Sequence, residues 1–174
     1  MSPERTRPAT LAEVMAQALS IEQDAAERYT ALADVMVVHN NREVTDLFRK
    51  MAAIEARHAQ QIMSEMGWKR PEDAPPVSPW WPGGDAPESV PQDEIHYLMT
   101  PWHALQLALS AEQRAEGFFA ELATNAPTEA VRKAALEMRD EEREHVTLIR
   151  NWLAKLPRPG EDWSVDPDPP RYLD

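Results

Sequence analysis

The chain contains no cysteine. That absence removes disulfides, thiolate nucleophiles, zinc–thiolate sites and iron–sulfur clusters together. It has only five glycines, and no apolar run approaches the roughly 18 residues of a membrane span. The opening "MSPERTRPAT" has no apolar signal core, so a soluble, cytoplasmic protein is expected. Positive charge is scarce: the net charge is −12 over 174 residues, which argues against a nucleic-acid or anionic-membrane surface. Hydrophobic content is 43%, enough for one domain with a core of its own. Proline is plentiful at sixteen, and its uneven placement marks where helices stop.

Four helices are predicted. "TLAE" at 10–13 has the Thr-x-x-Glu form of a capping box, and helical spacing then runs to about Val38. Asn40 with Glu43 is expected to cap a second helix reaching about Met66. Residues 67–99 are a Pro-rich connector without periodicity. A third helix opens at Thr100-Pro101, with Pro at its first position, and ends before "NAPT". A fourth runs from about Thr128 to Leu156. Residues 1–9 read as a flexible start and 157–174 as an extended tail.

The chain repeats itself. "SIEQDAAERYTALA" (20–33) returns as "SAEQRAEGFFAELA" (110–123), and "MAAIEARHAQQI" (51–62) returns as "MRDEEREHVTLI" (138–149). One helical hairpin is thus used twice, and the economical result is a single all-α, antiparallel four-helix bundle. Each helix carries a core-facing stripe at spacings of three and four. Six polar residues interrupt these stripes near mid-helix: Glu22, Glu55, His58, Glu112, Glu142 and His145. Four carboxylates in a core cannot stay ionised without compensation, and no Lys or Arg lies on the stripes. Two divalent cations would balance four carboxylates, and the imidazoles are neutral ligands. Each Glu-x-x-His puts both side chains on one helix face. One such motif is common by chance. Two copies on core stripes, each preceded by a helix with a single stripe Glu, are the ligand pattern of dinuclear carboxylate bundles.

At "IEQDAAERYTALA", "IEARH", "AEQRAEGFFAELA" and "EEREH" the sequence resembles the rubrerythrins of the ferritin-like di-iron superfamily, over about residues 10–156. The resemblance implies a bundle with one long crossover between helices 2 and 3 and a mid-bundle centre of two iron ions. It also implies reduction of hydrogen peroxide or oxidation of ferrous iron. The six residues take the ligand places, and Tyr29 falls where the family often keeps a tyrosine near the metals, so Tyr29 is the candidate catalytic residue. Manganese or zinc suits the same donors. Two departures stand out. Rubrerythrins typically carry a four-cysteine iron domain that delivers electrons, so here the donor is expected to be an external protein. They also carry an extra Glu three residues after the third-helix ligand, tied to movement of one iron, and here that residue is Ala115. Glu116 points about 100° away around the helix. Glu141 is a candidate hydrogen-bond acceptor for a ligating His.

The two-fold repeat makes helices 2 and 3 run parallel, so the connector must travel the bundle's length. Trp68, Trp80 and Trp81 are expected to cover apolar ground on the way. A connector of this length also permits a homodimer with exchanged hairpins. His39, His96 and His103 are expected at the surface, and Met15, Met51 and Met138 in the core. An iron-sequestering ferroxidase is the competing function, and an acidic partner-binding bundle without metal is a third.

Overall fold

A computed structural model of the chain describes residues 7–77 and 99–158. Among them are four long helices and no strand: α1 (Leu11–Val38), α2 (Arg42–Met66), α3 (Pro101–Thr124) and α4 (Glu129–Leu153). No helix among the described residues is long and apolar enough to cross a membrane.

The helix ends follow local chemistry. Thr10 Oγ1 accepts from the Glu13 amide at 3.1 Å and its hydroxyl donates to the Glu13 carboxylate at 2.9 Å. Thr100 caps α3 ahead of Pro101 and Thr128 caps α4, each accepting an amide of the first turn. The cap of α2 differs from expectation by one residue. Asn41, not Asn40, accepts the Val44 amide at 3.1 Å. Asn40 instead takes a left-handed backbone with φ 55°, a conformation Asn tolerates better than most residues. Gly67 ends α2 at φ 71°, the left-handed stop that glycine supplies without a Cβ penalty. Helix α4 ends at Leu153 rather than Leu156, because the amides of Lys155 and Leu156 turn back onto Trp152 and Leu153. The connector begins with a short 3₁₀ turn at Pro71–Asp73, which the sequence reading did not anticipate.

Two apolar clusters fill the bundle. One joins residues 14–21 of α1, 59–63 of α2, 115–123 of α3 and 131–138 of α4. The other joins residues 29–36 of α1, 44–51 of α2, 104–108 of α3, Met99 and Ile149 of α4. The start of α1 therefore meets the end of α2, the end of α3 and the start of α4. Neighbours within each hairpin run antiparallel, while α2 and α3 run the same way, as the two-fold repeat requires. Met15, Met51 and Met138 are buried in these clusters. Leu11, at the head of the first stripe, is 39% exposed. Trp68 packs against the first cluster. Trp80, Trp81 and His96 lie outside the described residues.

Between the clusters lies a polar layer holding Glu22, Glu55, His58, Glu112, Glu142 and His145. Burying a large side chain such as Phe48, Phe118 or Phe119 contributes about 1.5–3 kcal/mol. Burying each carboxylate costs several kcal/mol. The apolar clusters on either side thus offset a layer that is unfavourable until its charges are matched.

Candidate metal centre

Each helix brings its stripe to the same level. Helix α1 supplies Glu22, α3 supplies Glu112, and α2 and α4 supply the Glu55/His58 and Glu142/His145 pairs. The four glutamates are at most 1% exposed. His58 Nδ1 lies 3.6 Å from Glu22 Oε2 and 3.6 Å from Glu55 Oε2. His145 Nδ1 lies 3.4 Å from Glu112 Oε2 and 3.7 Å from Glu142 Oε2. These contacts correspond under the repeat, so the site has two similar halves. The imidazoles stack nearly parallel, with centroids 5.6 Å apart and planes 8° apart. Glu55 joins the halves: its Oε1 is 3.1 Å from His145 Nδ1 while its Oε2 faces His58.

The donor atoms fit a dinuclear centre. Both Glu55 oxygens, Glu112 Oε2, Glu142 Oε2, His58 Nδ1 and His145 Nδ1 are buried and make no hydrogen bond among the described residues. Such orphans are rare in a folded protein and need an explanation. Three groups of ligating atoms, each within 4.8 Å, converge here: Glu55/His58/His145, Glu22/His58/Glu141 and Glu112/Glu142/His145. Oxygen and imidazole donors in this ratio suit iron, manganese or zinc.

The metal-free electrostatics show what a cation would replace. Burial works to raise the Glu55 carboxyl, but the close approach of Glu22, His145 and His58 outweighs it and holds the group well below the carboxylate range. Burial likewise opposes Glu112, yet His145 and Glu142 bring it down, with Arg28 adding to the shift. Glu142 moves the other way, raised by burial and by the nearby charges of Glu112 and Glu22 against the pull of His145. His58 is raised, chiefly by Glu55. His145 is raised strongly, because Glu112, Glu142 and Glu55 together outweigh its burial. Protons on the imidazoles thus do part of the work of metal cations.

Other residues take clear places. The Tyr29 hydroxyl donates to Glu112 Oε1. Ala115 is fully buried among apolar residues. Glu116 turns to Arg143, accepting from its Nε at 2.9 Å. Glu141 is half-buried, with Oε2 at 3.7 Å from His58 Nδ1. His103 is half-buried rather than at the surface, with Nδ1 2.7 Å from Thr100 Oγ1. His39 is also half-buried, and neither histidine joins the cluster. One residue was missed. Arg28 is 5% exposed, and its Nη2 lies 3.6 Å from Glu112 Oε1. The stripes carry no cation, as the sequence indicates, but Arg28 sits one position off the first stripe, beside Tyr29.

The centre has an open edge. A groove of about 610 Å³ between α2 and α4 is lined by Met15, Ile62, Met138, Glu65 and Glu137, and also by His58 and Glu141. The His58 side chain is 22% exposed, against 10% for His145.

A comparison with curated proteins finds no match. Among solved structures, an uncharacterised conserved protein from Magnetospirillum magnetotacticum MS-1 is 36% identical and superposes with a TM-score of 0.73. The alignment covers 87% of this chain and 98% of that one. The family model described as Rubrerythrin matches residues 13–76 and 103–169, the two hairpins with their flanks. Together with the four-helix bundle and its paired Glu/His layer, these likenesses show that the chain belongs to the Rubrerythrin family.

Proposed function

We propose that the protein is a rubrerythrin-type oxidoreductase, reducing hydrogen peroxide or oxygen at a di-iron centre with electrons from an external donor protein. The observation that carries this reading is the two-half ligand layer with one edge open to a groove at His58. Bound iron would supply the one-electron steps between ferrous and ferric states. The chain's own residues do the rest. Glu22, Glu55 and His58 would hold one ion, and Glu112, Glu142 and His145 the other, with Glu55 in reach of both. The apolar clusters above and below exclude bulk water. Tyr29 places an O–H at the layer, where it steadies Glu112 and keeps a proton close to the reacting atoms. The groove admits a molecule as small as peroxide.

An iron-sequestering ferroxidase is the second reading, favoured by acidic residues along that groove: Glu65, Glu137, Asp140 and Glu141. They would draw a cation toward His58. We also propose a homodimer, in which the long connector would permit hairpins to be exchanged between copies. The closer packing within each hairpin than between hairpins supports treating the hairpin as the unit of exchange.

Stopped-flow mixing of the diferrous protein with each oxidant, followed by ferric absorbance, tests the reading. Peroxide is expected to react faster than oxygen, by a modest factor because Ala115 supplies no carboxylate beside the third-helix ligand. Tyr29→Phe should slow the peroxide reaction while leaving iron content unchanged. If oxygen reacts faster by a wide margin, the ferroxidase reading replaces the peroxidase. An unchanged rate in Tyr29→Phe would reduce the tyrosine to a core filler.

A further inference from the structure

Four carboxylates and two divalent cations balance without help, yet the core holds a further charge. The Arg28 side chain is 3% exposed, and a guanidinium buried so deeply costs several kcal/mol unless it is paired. Its Nη2 lies 3.6 Å from Glu112 Oε1, ion-pair distance but too long for a direct hydrogen bond. Its guanidinium carbon stands 4.7 Å from the centroid of the Tyr29 ring. Asp24, one turn earlier on the same helix, is a second carboxylate that feels this charge.

Glu112 Oε1 therefore receives both the Tyr29 hydroxyl and the Arg28 charge. Glu112 Oε2 faces His145 Nδ1 at 3.4 Å and makes no hydrogen bond. The repeat shows that this arrangement has no counterpart. Arg28 and Tyr29 correspond to Phe118 and Phe119 in the second hairpin, which possess neither a cation nor a hydroxyl. A site built from two similar hairpins is thus made unequal at one pair of positions.

We propose that Arg28 is a positioning residue that, with Tyr29, reserves Oε1 of Glu112. Glu112 then engages a metal through Oε2 alone, and the ion beside His145 is held differently from the ion beside His58. The inference rests on the metal-binding reading of the layer. Its physical basis is twofold. A cation beside a carboxylate withdraws electron density and weakens the carboxylate as a donor. Occupation of one oxygen also forbids two-oxygen ligation. Arg28 accordingly lowers metal affinity at the His145 half in exchange for a fixed geometry.

Titration of the metal-free protein with Co(II), whose visible absorption reports coordination number, tests this without any assay of activity. The wild type should bind two Co(II) with unequal affinity. Arg28→Met should bind Co(II) about tenfold more tightly at one site and lose visible absorption intensity as the second oxygen of Glu112 joins. Arg28→Lys, which keeps the charge, should stay nearer to wild type. A folded Arg28→Met with wild-type affinities and spectrum would overturn the proposal. Should Arg28→Met not fold, Tyr29→Phe decides: it removes the other group on Oε1 and should shift the same band in the same direction, and an unchanged band overturns the proposal. Failure of the wild type to bind two Co(II) would instead overturn the metal reading beneath it.

Discussion

Loading the metal-free protein with ferrous iron, without oxygen, is expected to raise its melting temperature on the order of 20 °C at pH 7. A ligand a thousandfold above its Kd stabilises by about 4 kcal/mol per site. Two sites therefore give about 8 kcal/mol, and each kcal/mol moves a protein of this size by about 2–4 °C. The gain has a structural source, since the polar layer is unfavourable until cations replace the missing partners of Glu55, Glu112 and Glu142. It should also depend on pH. His58 and His145 are raised above 6.5 in the metal-free protein, so their stabilising contribution is complete below 6.5 and is lost as pH rises through the folded values. Glu142, raised above 4.5, acts in the same direction, because the folded state holds its proton more tightly than the unfolded chain does. Glu55 and Glu112, lowered from 4.5, contribute stability that is lost on acidification through their folded values. Metal-free protein should therefore be most stable between about pH 4.5 and 6.5 and weaken toward pH 8. Metal-loaded protein should hold its melting temperature across pH 6.5–8. Calorimetric melts of both forms at pH 6, 7 and 8 check this. Equal melting temperatures at pH 7 would mean that the buried glutamates are not a metal layer.

The second large effect is expected from His145→Ala. His145 Nδ1 contacts Glu55, Glu112 and Glu142 at 3.1, 3.4 and 3.7 Å, and the residue belongs to two of the three ligand groups. Its loss removes a donor and the imidazole that faces three carboxylates in the metal-free state. Residues that merely support metal ligands are worth about 10–100-fold in affinity, so loss of a ligand should exceed that range. Metal content should drop by one ion or more, and the rise in melting temperature on loading should fall by about half. Glu112→Ala should behave alike. Glu116→Ala, by contrast, breaks a surface pair with Arg143 and should keep its full metal complement. Equal losses in Glu112→Ala and Glu116→Ala, read by elemental analysis, would mean that the wrong carboxylate of α3 has been identified.

Much of this layer was legible because it lies on a period. Glu22, Glu55, Glu112 and Glu142 occupy stripe positions that apolar residues normally fill, and each turns out to be buried. The repeat fixed their common level, because equivalent positions of two like hairpins meet across a two-fold axis. Tyr29 was legible for the same reason, lying on the stripe one heptad after Glu22. Arg28 was not. A residue one position off a stripe is usually solvated, and only the approach of α3 to α1 encloses it against Glu112. The groove at His58 was equally hidden, because it arises from the separation of α2 and α4, and no helix records its distance from another. The shift from Asn40 to Asn41 is of a third kind. Two adjacent asparagines can each cap or turn, and the choice depends on the direction in which the chain must leave α1.

The dinuclear centre itself is tested most directly by elemental analysis of the protein after anaerobic loading with ferrous iron and removal of loosely held metal. Two iron ions per chain are expected, one for each Glu/His half with Glu55 between them. One ion per chain or fewer after full loading would contradict it.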